Sequence, residues 1–120
     1  MGTMASMLSI YLSPVMAESS ERKFTIQGPS EQPDSAVIRD ALNRPCLDVE
    51  AVARAHIVNP HLFDHVVSVK NRCPRRINIR LCYFKSDSCK VFVIGPYQRE
   101  DTILGTLPNT TIFRYSIFQK

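Results

Sequence analysis

Three groups of residues in this chain have the types and spacing to do chemistry: four cysteines, a histidine cluster and an arginine cluster. Cys46, Cys73, Cys82 and Cys89 form no CxxC pair, and their spacings fit no zinc-finger pattern. In an oxidising compartment an even number of cysteines reads as two disulfides, with a structural role. His56, His61 and His65 fall within ten residues beside Asp64, and imidazole and carboxylate are the usual metal ligands and proton carriers. Spacings of five and four match no metalloenzyme motif, so the plainer expectation is polar residues near a hairpin end. Arg72, Arg75, Arg76 and Arg80 gather around Cys73-Pro74. Such a patch attracts anions: nucleic acid, anionic glycan, anionic lipid or an acidic protein. No aromatic residue interleaves with the basic ones between Lys70 and Leu81, which counts against nucleic acid. Tyr97 and Arg99, in the polar run Tyr97-Gln98-Arg99-Glu100-Asp101 after Gly95-Pro96, extend the candidate binding set.

Catalytic signatures are otherwise lacking. There is no GxSxG, HExxH, Walker loop or dinucleotide fingerprint, and no cofactor is implied. Asn109-Thr110-Thr111 fits the N-glycosylation acceptor pattern.

These residues must be positioned by a single modest domain. The chain has 120 residues, 44% hydrophobic and 22% charged, with a net charge of +4. That composition excludes a disordered chain, and the length excludes a multidomain enzyme. The charge is polarised: residues 18–65 hold five basic and eight acidic side chains, and residues 66–120 hold ten basic and three acidic. Asp48 and Glu50 are candidates to pair with arginines of a neighbouring strand.

Residues 1–17 carry no charged side chain, whereas ESSERK follows at once. Met7 to Leu12 supply a short apolar run, and Val15 and Ala17 stand at the −3 and −1 positions before Glu18. A signal-peptide remnant is expected there, lacking only the basic n-region, with a periplasmic or secreted address. Ser9, Ser13 and Pro14 interrupt the run, so no membrane span is expected. Residues 18–45 read as an N-terminal arm with a β-like run at Lys23 to Gln27. A short helix is expected to enter at Pro33-Asp34, carry Val37, Ile38, Ala41 and Leu42, and stop at Pro45.

Residues 46–120 read as a disulfide-stabilised β domain. From Leu47 to Ile57 apolar residues keep one parity, with Val52 the single exception, while Asp48, Glu50, Arg54 and His56 keep the other. A helix would scatter those charges, whereas a half-buried strand collects them on one face. Alternation continues from Phe63 to Lys70, from Ile77 to Tyr83 and from Thr111 to Phe118. Residues 89–94 form a near-continuous apolar run, and Thr102 to Leu104 a short strand closed by Gly105. Turn chemistry at Asn59-Pro60-His61 and Lys85-Ser86-Asp87-Ser88 separates the strands. The fold expected is mainly β, a small antiparallel sandwich or barrel.

Hairpin geometry then selects a cysteine pairing. Folding 47–58 back on 62–72 brings Cys46 to Cys73. The next hairpin sets Cys82 opposite Cys89 with Ile79 against Phe92 and Ile77 against Ile94; a one-residue slip would match Leu81 with Val91 instead.

The segment Val67-Ser68-Val69-Lys70-Asn71-Arg72-Cys73, followed by an alternating strand and later a Gly-Pro turn, resembles the opening of thaumatin-like β-sandwich proteins. Residues 46–118 resemble small exported bacterial proteins with a strand, Asn-x-Cys, strand, Cys-Tyr hairpin plan. The resemblance implies fold and export, and carries no activity. The function expected is therefore a non-catalytic binding module whose basic patch takes an acidic protein or anionic glycan. The competing reading is a small hydrolase or metal-dependent enzyme using His56, His61, Asp64 and His65. Convergence of those side chains in a concave pocket separates the two.

Overall fold

The computed structural model describes residues 24–31 and 37–120. The expected signal remnant, the start of the arm and the Pro33-Asp34 helix entry lie outside the described residues. Seven strands follow in order: β1 (Phe24–Ile26), β2 (Leu47–Ala55), β3 (Leu62–Asn71), β4 (Ile77–Tyr83), β5 (Cys89–Ile94), β6 (Arg99–Pro108) and β7 (Tyr115–Gln119). They form two antiparallel sheets, ordered β1-β2-β3-β6 and β5-β4-β7. The inner faces share one core, with Ala51, Ala53, Val67 and Val69 from the first sheet against Ile77, Ile79, Leu81, Tyr115 and Ile117 from the second. This is the sandwich of the two expected architectures.

The period-two pattern is realised in β2, where Leu47, Ala51 and Ala53 are buried and Asp48, Glu50 and Arg54 exposed. The strand ends at Ala55, so Ile57, expected on the buried parity, is 99% exposed in the turn. β2 and β3 pair from Leu47↔Asn71 to Ala55↔Phe63. β4 and β5 take the register that sets Ile77 against Ile94, Ile79 against Phe92 and Cys82 against Cys89. Both expected disulfides are present: Cys46–Cys73 and Cys82–Cys89. Two such bonds fit an oxidising, extracytoplasmic environment.

Four expectations change. Val37 to Pro45, where described, hold no helix: an Arg39↔Pro45 bridge closes a turn. Asp40 Oδ1 accepts from the backbone N–H of Leu42 and Arg44, and Asn43 takes φ 64°. An aspartate that bonds the backbone two and four residues on stabilises a turn in competition with a helix. Residues 111–114 are not strand, because backbone groups of Thr111 and Phe113 bond a side chain instead. Gln27 Nε2 donates to Thr111 O at 2.8 Å, and Phe113 N–H donates to Gln27 Oε1 at 2.7 Å. β6 runs through Gly105 rather than stopping there. Finally, alternation along β5 turns Phe92 and Ile94 inward, so Val91 and Val93 face outward despite their apolar character.

The described residues of the arm join the sandwich. β1 pairs with β2 from Phe24↔Arg54 to Ile26↔Val52, and Glu31 bridges to Ser116 of β7. The segment between thus crosses from one sheet to the other.

Candidate functional site

The Cys46–Cys73 end of the sandwich gathers loops from three parts of the chain. Cys46 precedes β2 and Cys73 follows β3, so the hairpin register places them together, with Cα atoms 5.3 Å apart. Asn71, fully buried, fixes the crossover that follows. Its Nδ2 donates to Arg75 O at 2.6 Å and Gly95 O at 3.0 Å, and its Oδ1 accepts from Cys73 N–H at 3.0 Å. Its backbone N–H donates to Gln98 O at 2.8 Å. One amide therefore ties the β3–β4 crossover to the turn Gly95–Gln98 between β5 and β6. That turn holds Tyr97 at φ 60°, a left-handed conformation costly for an aromatic residue, with its side chain largely exposed.

The result is a surface depression of about 370 Å³ lined by Arg39, Arg44, Arg72, Arg75, Leu42 and Tyr97, among others. Asp40 is its one acidic side chain, and it is already engaged by Arg44 Nε at 3.0 Å. The Arg44 backbone N–H foremost holds the Asp40 carboxyl below the usual carboxylate range, with the Arg44 side chain and the Leu42 N–H acting in the same direction. Four guanidinium groups around one committed carboxylate leave a positive field with an aromatic at its rim.

The six candidate binding residues do not stay together. Arg72, Arg75 and Tyr97 line this depression. Arg76 is exposed on the same crossover but outside the lining. Arg80 stands on the outer face of β4, its guanidinium 5.2 Å from the Phe118 ring centroid. Arg99, on the outer face of the other sheet, pairs with Asp101 at 3.1 Å and reaches Ser68 Oγ at 3.4 Å. Strand rise separates Arg76 from Arg80: Arg76 precedes β4 while Arg80 lies within it, several residues along a strand that leads away from the crossover. Arg39 and Arg44 went unrecognised in the sequence. Their signal was the Cys46–Cys73 pairing, which draws the residues before Cys46 to the crossover.

Asp48 and Glu50 make no ion pair within 4.0 Å among the described residues. Their rows across the sheet read Asp48–Lys70–Arg99 and Glu50–Ser68–Asp101, so opposite charges adjoin while Arg99 takes Asp101.

The histidines part company because successive residues of a strand face opposite sides. Asp64 and His65 are neighbours on β3 and face opposite sides. On the outside, Asp64 Oδ1 accepts from Thr106 Oγ1 at 2.6 Å and from His56 Nε2 at 2.7 Å, and Arg54 approaches Oδ2 at 3.5 Å. The Thr106 hydroxyl first, and the His56 ring second, hold the Asp64 carboxyl below its ordinary range. A Ser/His/Asp-type relay needs the hydroxyl on the imidazole and the imidazole on the carboxylate. Here hydroxyl and imidazole both terminate on the carboxylate, so neither activates the other. On the inside, His65 is wholly buried and stacked on Phe113 at 4.1 Å. Its Nε2 donates to Thr110 O at 2.9 Å, so Nδ1, 2.8 Å from the Tyr83 hydroxyl, accepts from it. His61 is exposed in the β2–β3 turn. The three rings do not converge on one pocket, and no group of three or more His, Cys, Asp or Glu among the described residues is arranged to hold a metal ion.

Asn109, of the acceptor triplet, is exposed just after β6. Among the described residues no helix is long and apolar enough to cross a membrane.

No protein family, curated protein or solved structure matches this chain.

Proposed function

We propose that this protein is an exported, non-catalytic binding module that takes an anionic partner, an acidic protein or anionic glycan, at the depression beside Cys46–Cys73. The observation that carries the reading is the gathering of Arg39, Arg44, Arg72 and Arg75 with Tyr97 around one concave surface whose single carboxylate is already paired. Planar guanidinium groups bind carboxylate and sulfate oxygens in bidentate fashion, and an exposed aromatic ring at the rim adds apolar contact. A fixed loop conformation lowers the ordering cost of binding, and Asn71 supplies that fixation. Export accounts for the uncharged first seventeen residues and is consistent with both disulfides. The resemblance to small exported β-sandwich proteins points the same way.

Heparin chromatography tests the site against bulk charge. Replacing Arg72 and Arg75 with Ala should lower the elution salt, and the slope of log affinity against log salt should fall by roughly one per arginine removed. Replacing Arg80 and Arg99 with Ala removes equal charge outside the depression and should change retention far less. Equal losses from the two pairs, or none from the first, would overturn the proposal.

A further inference from the structure

The strands of the second sheet, β4, β5 and β7, contain no acidic residue. Their outer face is also unusual in polarity. Antiparallel sheets with one solvated face normally alternate apolar-in with polar-out. Here Val91 and Phe118 point outward, 76% and 40% exposed, on either side of Arg80, which pairs with both across the sheet. The Arg80 guanidinium sits 5.2 Å from the Phe118 ring centroid. Lys120 adds a second cation, and its backbone is tied to Asn78 by two hydrogen bonds of 3.0 Å. These residues line a depression of about 480 Å³. Among the described residues neither Arg80 nor Lys120 joins an ion pair.

The ligand chemistry follows from what each simpler ligand would leave undone. A small, wholly polar anion would satisfy Arg80 but leave Val91 and Phe118 in water. A neutral hydrocarbon would cover the apolar side chains while stripping water from a guanidinium it cannot bond, which is costly. An anion with an apolar body does both, gaining about 25 cal/mol per Å² of apolar surface covered and a charge-assisted bond at its head. The volume lies within the usual small-ligand range. We infer that the outer face of the β5-β4-β7 sheet is a binding site for a small amphipathic anion, a soluble organic acid with an aromatic or branched apolar group. Its head is held by Arg80 and Lys120 and its body lies on Val91 and Phe118. This site is separate from the depression at Cys46–Cys73 and does not depend on it.

The test is a ¹H–¹⁵N NMR titration of the full chain with 1-anilinonaphthalene-8-sulfonate and with its neutral analogue N-phenyl-1-naphthylamine. The sulfonate should shift the amides of Arg80, Val91 and Phe118, and those shifts are read separately from any at Arg72 and Arg75, which belong to the other depression. Arg80→Gln should weaken the sulfonate by about tenfold, the worth of one charge-assisted bond, without weakening the neutral compound. Val91→Ser, at a largely exposed position that folding should tolerate, should weaken both. Equal affinity for the two compounds, sulfonate shifts confined to other faces, or the same shifts from inorganic sulfate at equal affinity would overturn the inference. So would capture on phosphatidylglycerol vesicles without sulfonate binding, or ligand-free dimerisation that shifts the same amides.

Discussion

Asn71 is fully buried, and both ends of its amide are bonded: Nδ2 to the carbonyls of Arg75 and Gly95, Oδ1 to the N–H of Cys73. Asn71→Ala would orphan three backbone groups and open a small void. The expected cost is about 2 to 4 kcal/mol, read as a lower urea midpoint with the disulfides intact. Faster amide exchange at Cys73 would locate the damage, and an unchanged midpoint would show that the amide clamps nothing. The Asn-x-Cys spacing was visible in the sequence, but its partners Arg75 and Gly95 come from two different connections. His65 gives the converse lesson. In the chain it belongs with His56, His61 and Asp64; in the fold it is a core residue bonded to Tyr83 and Thr110. Parity along β3 already set it opposite Asp64, and that signal outweighs nearness in sequence.

At the scale of the element, β6 is the strand whose extent was least legible. Its pairing with β3 shifts register between His65 and Val66, which face Gly105 and Ile103. Leu104 is thus the extra residue of a bulge, and it turns into the core, 4% exposed. A β-carbon at Gly105 would collide with the Tyr83 hydroxyl and lie 3.1 Å from Cε2 and Cζ of that ring. Tyr83 cannot swing away freely, because its hydroxyl is bonded to His65 and its ring stands edge-on to His65 and Phe113. Gly105→Ala should therefore cost about 1 to 3 kcal/mol in chemical denaturation and move the His65 ring resonances. A neutral effect on both would mean that the packing around Tyr83 yields. Gly105 looked like a strand terminator because glycine's two uses, ending a strand and admitting a neighbour's side chain, leave the same trace in a sequence. The strands from Leu47 to Asn71 and from Ile77 to Ile94 were legible for the opposite reason: hairpins join neighbours, so turn position and parity fix the register.

At the scale of the whole molecule, charge divides between the sheets. The strands of the second sheet come wholly from the basic half and carry Arg80 and Lys90 with no acid, whereas those of the first carry Asp48, Glu50, Asp64, Glu100 and Asp101 against Arg54, Lys70 and Arg99. The interface between the sheets carries two phenols, Tyr83 and Tyr115, and burial raises the pKa of each above the ordinary value of 10.0. A raised acid binds its proton more tightly in the folded state than in the unfolded one. The corresponding stability is complete below about pH 10 and is lost as pH climbs through the folded-state values. Thermal melting followed from pH 8 to 12 should hold steady at first and then fall, with phenolate absorbance rising together with unfolding. Ionisation of both buried phenols in a still-folded protein would contradict this coupling.

What the sequence by itself determined is what depends on local order: period two, turn residues, the hairpin registers and, through them, the Cys46–Cys73 and Cys82–Cys89 bonds. Each of these follows from residues close enough in the chain for their relative placement to be forced. What only the tertiary structure decided is what depends on how the sheets face one another. Packing gave His65 its Tyr83 and Thr110 partners, used Gln27 to bond residues 111–113 in place of a strand partner, and divided the arginines among three surfaces. It also left Val91, Val93 and Phe118 facing outward. Apolar side chains show that burial is available to them; which ones receive it is settled by the second sheet, whose position no local pattern encodes.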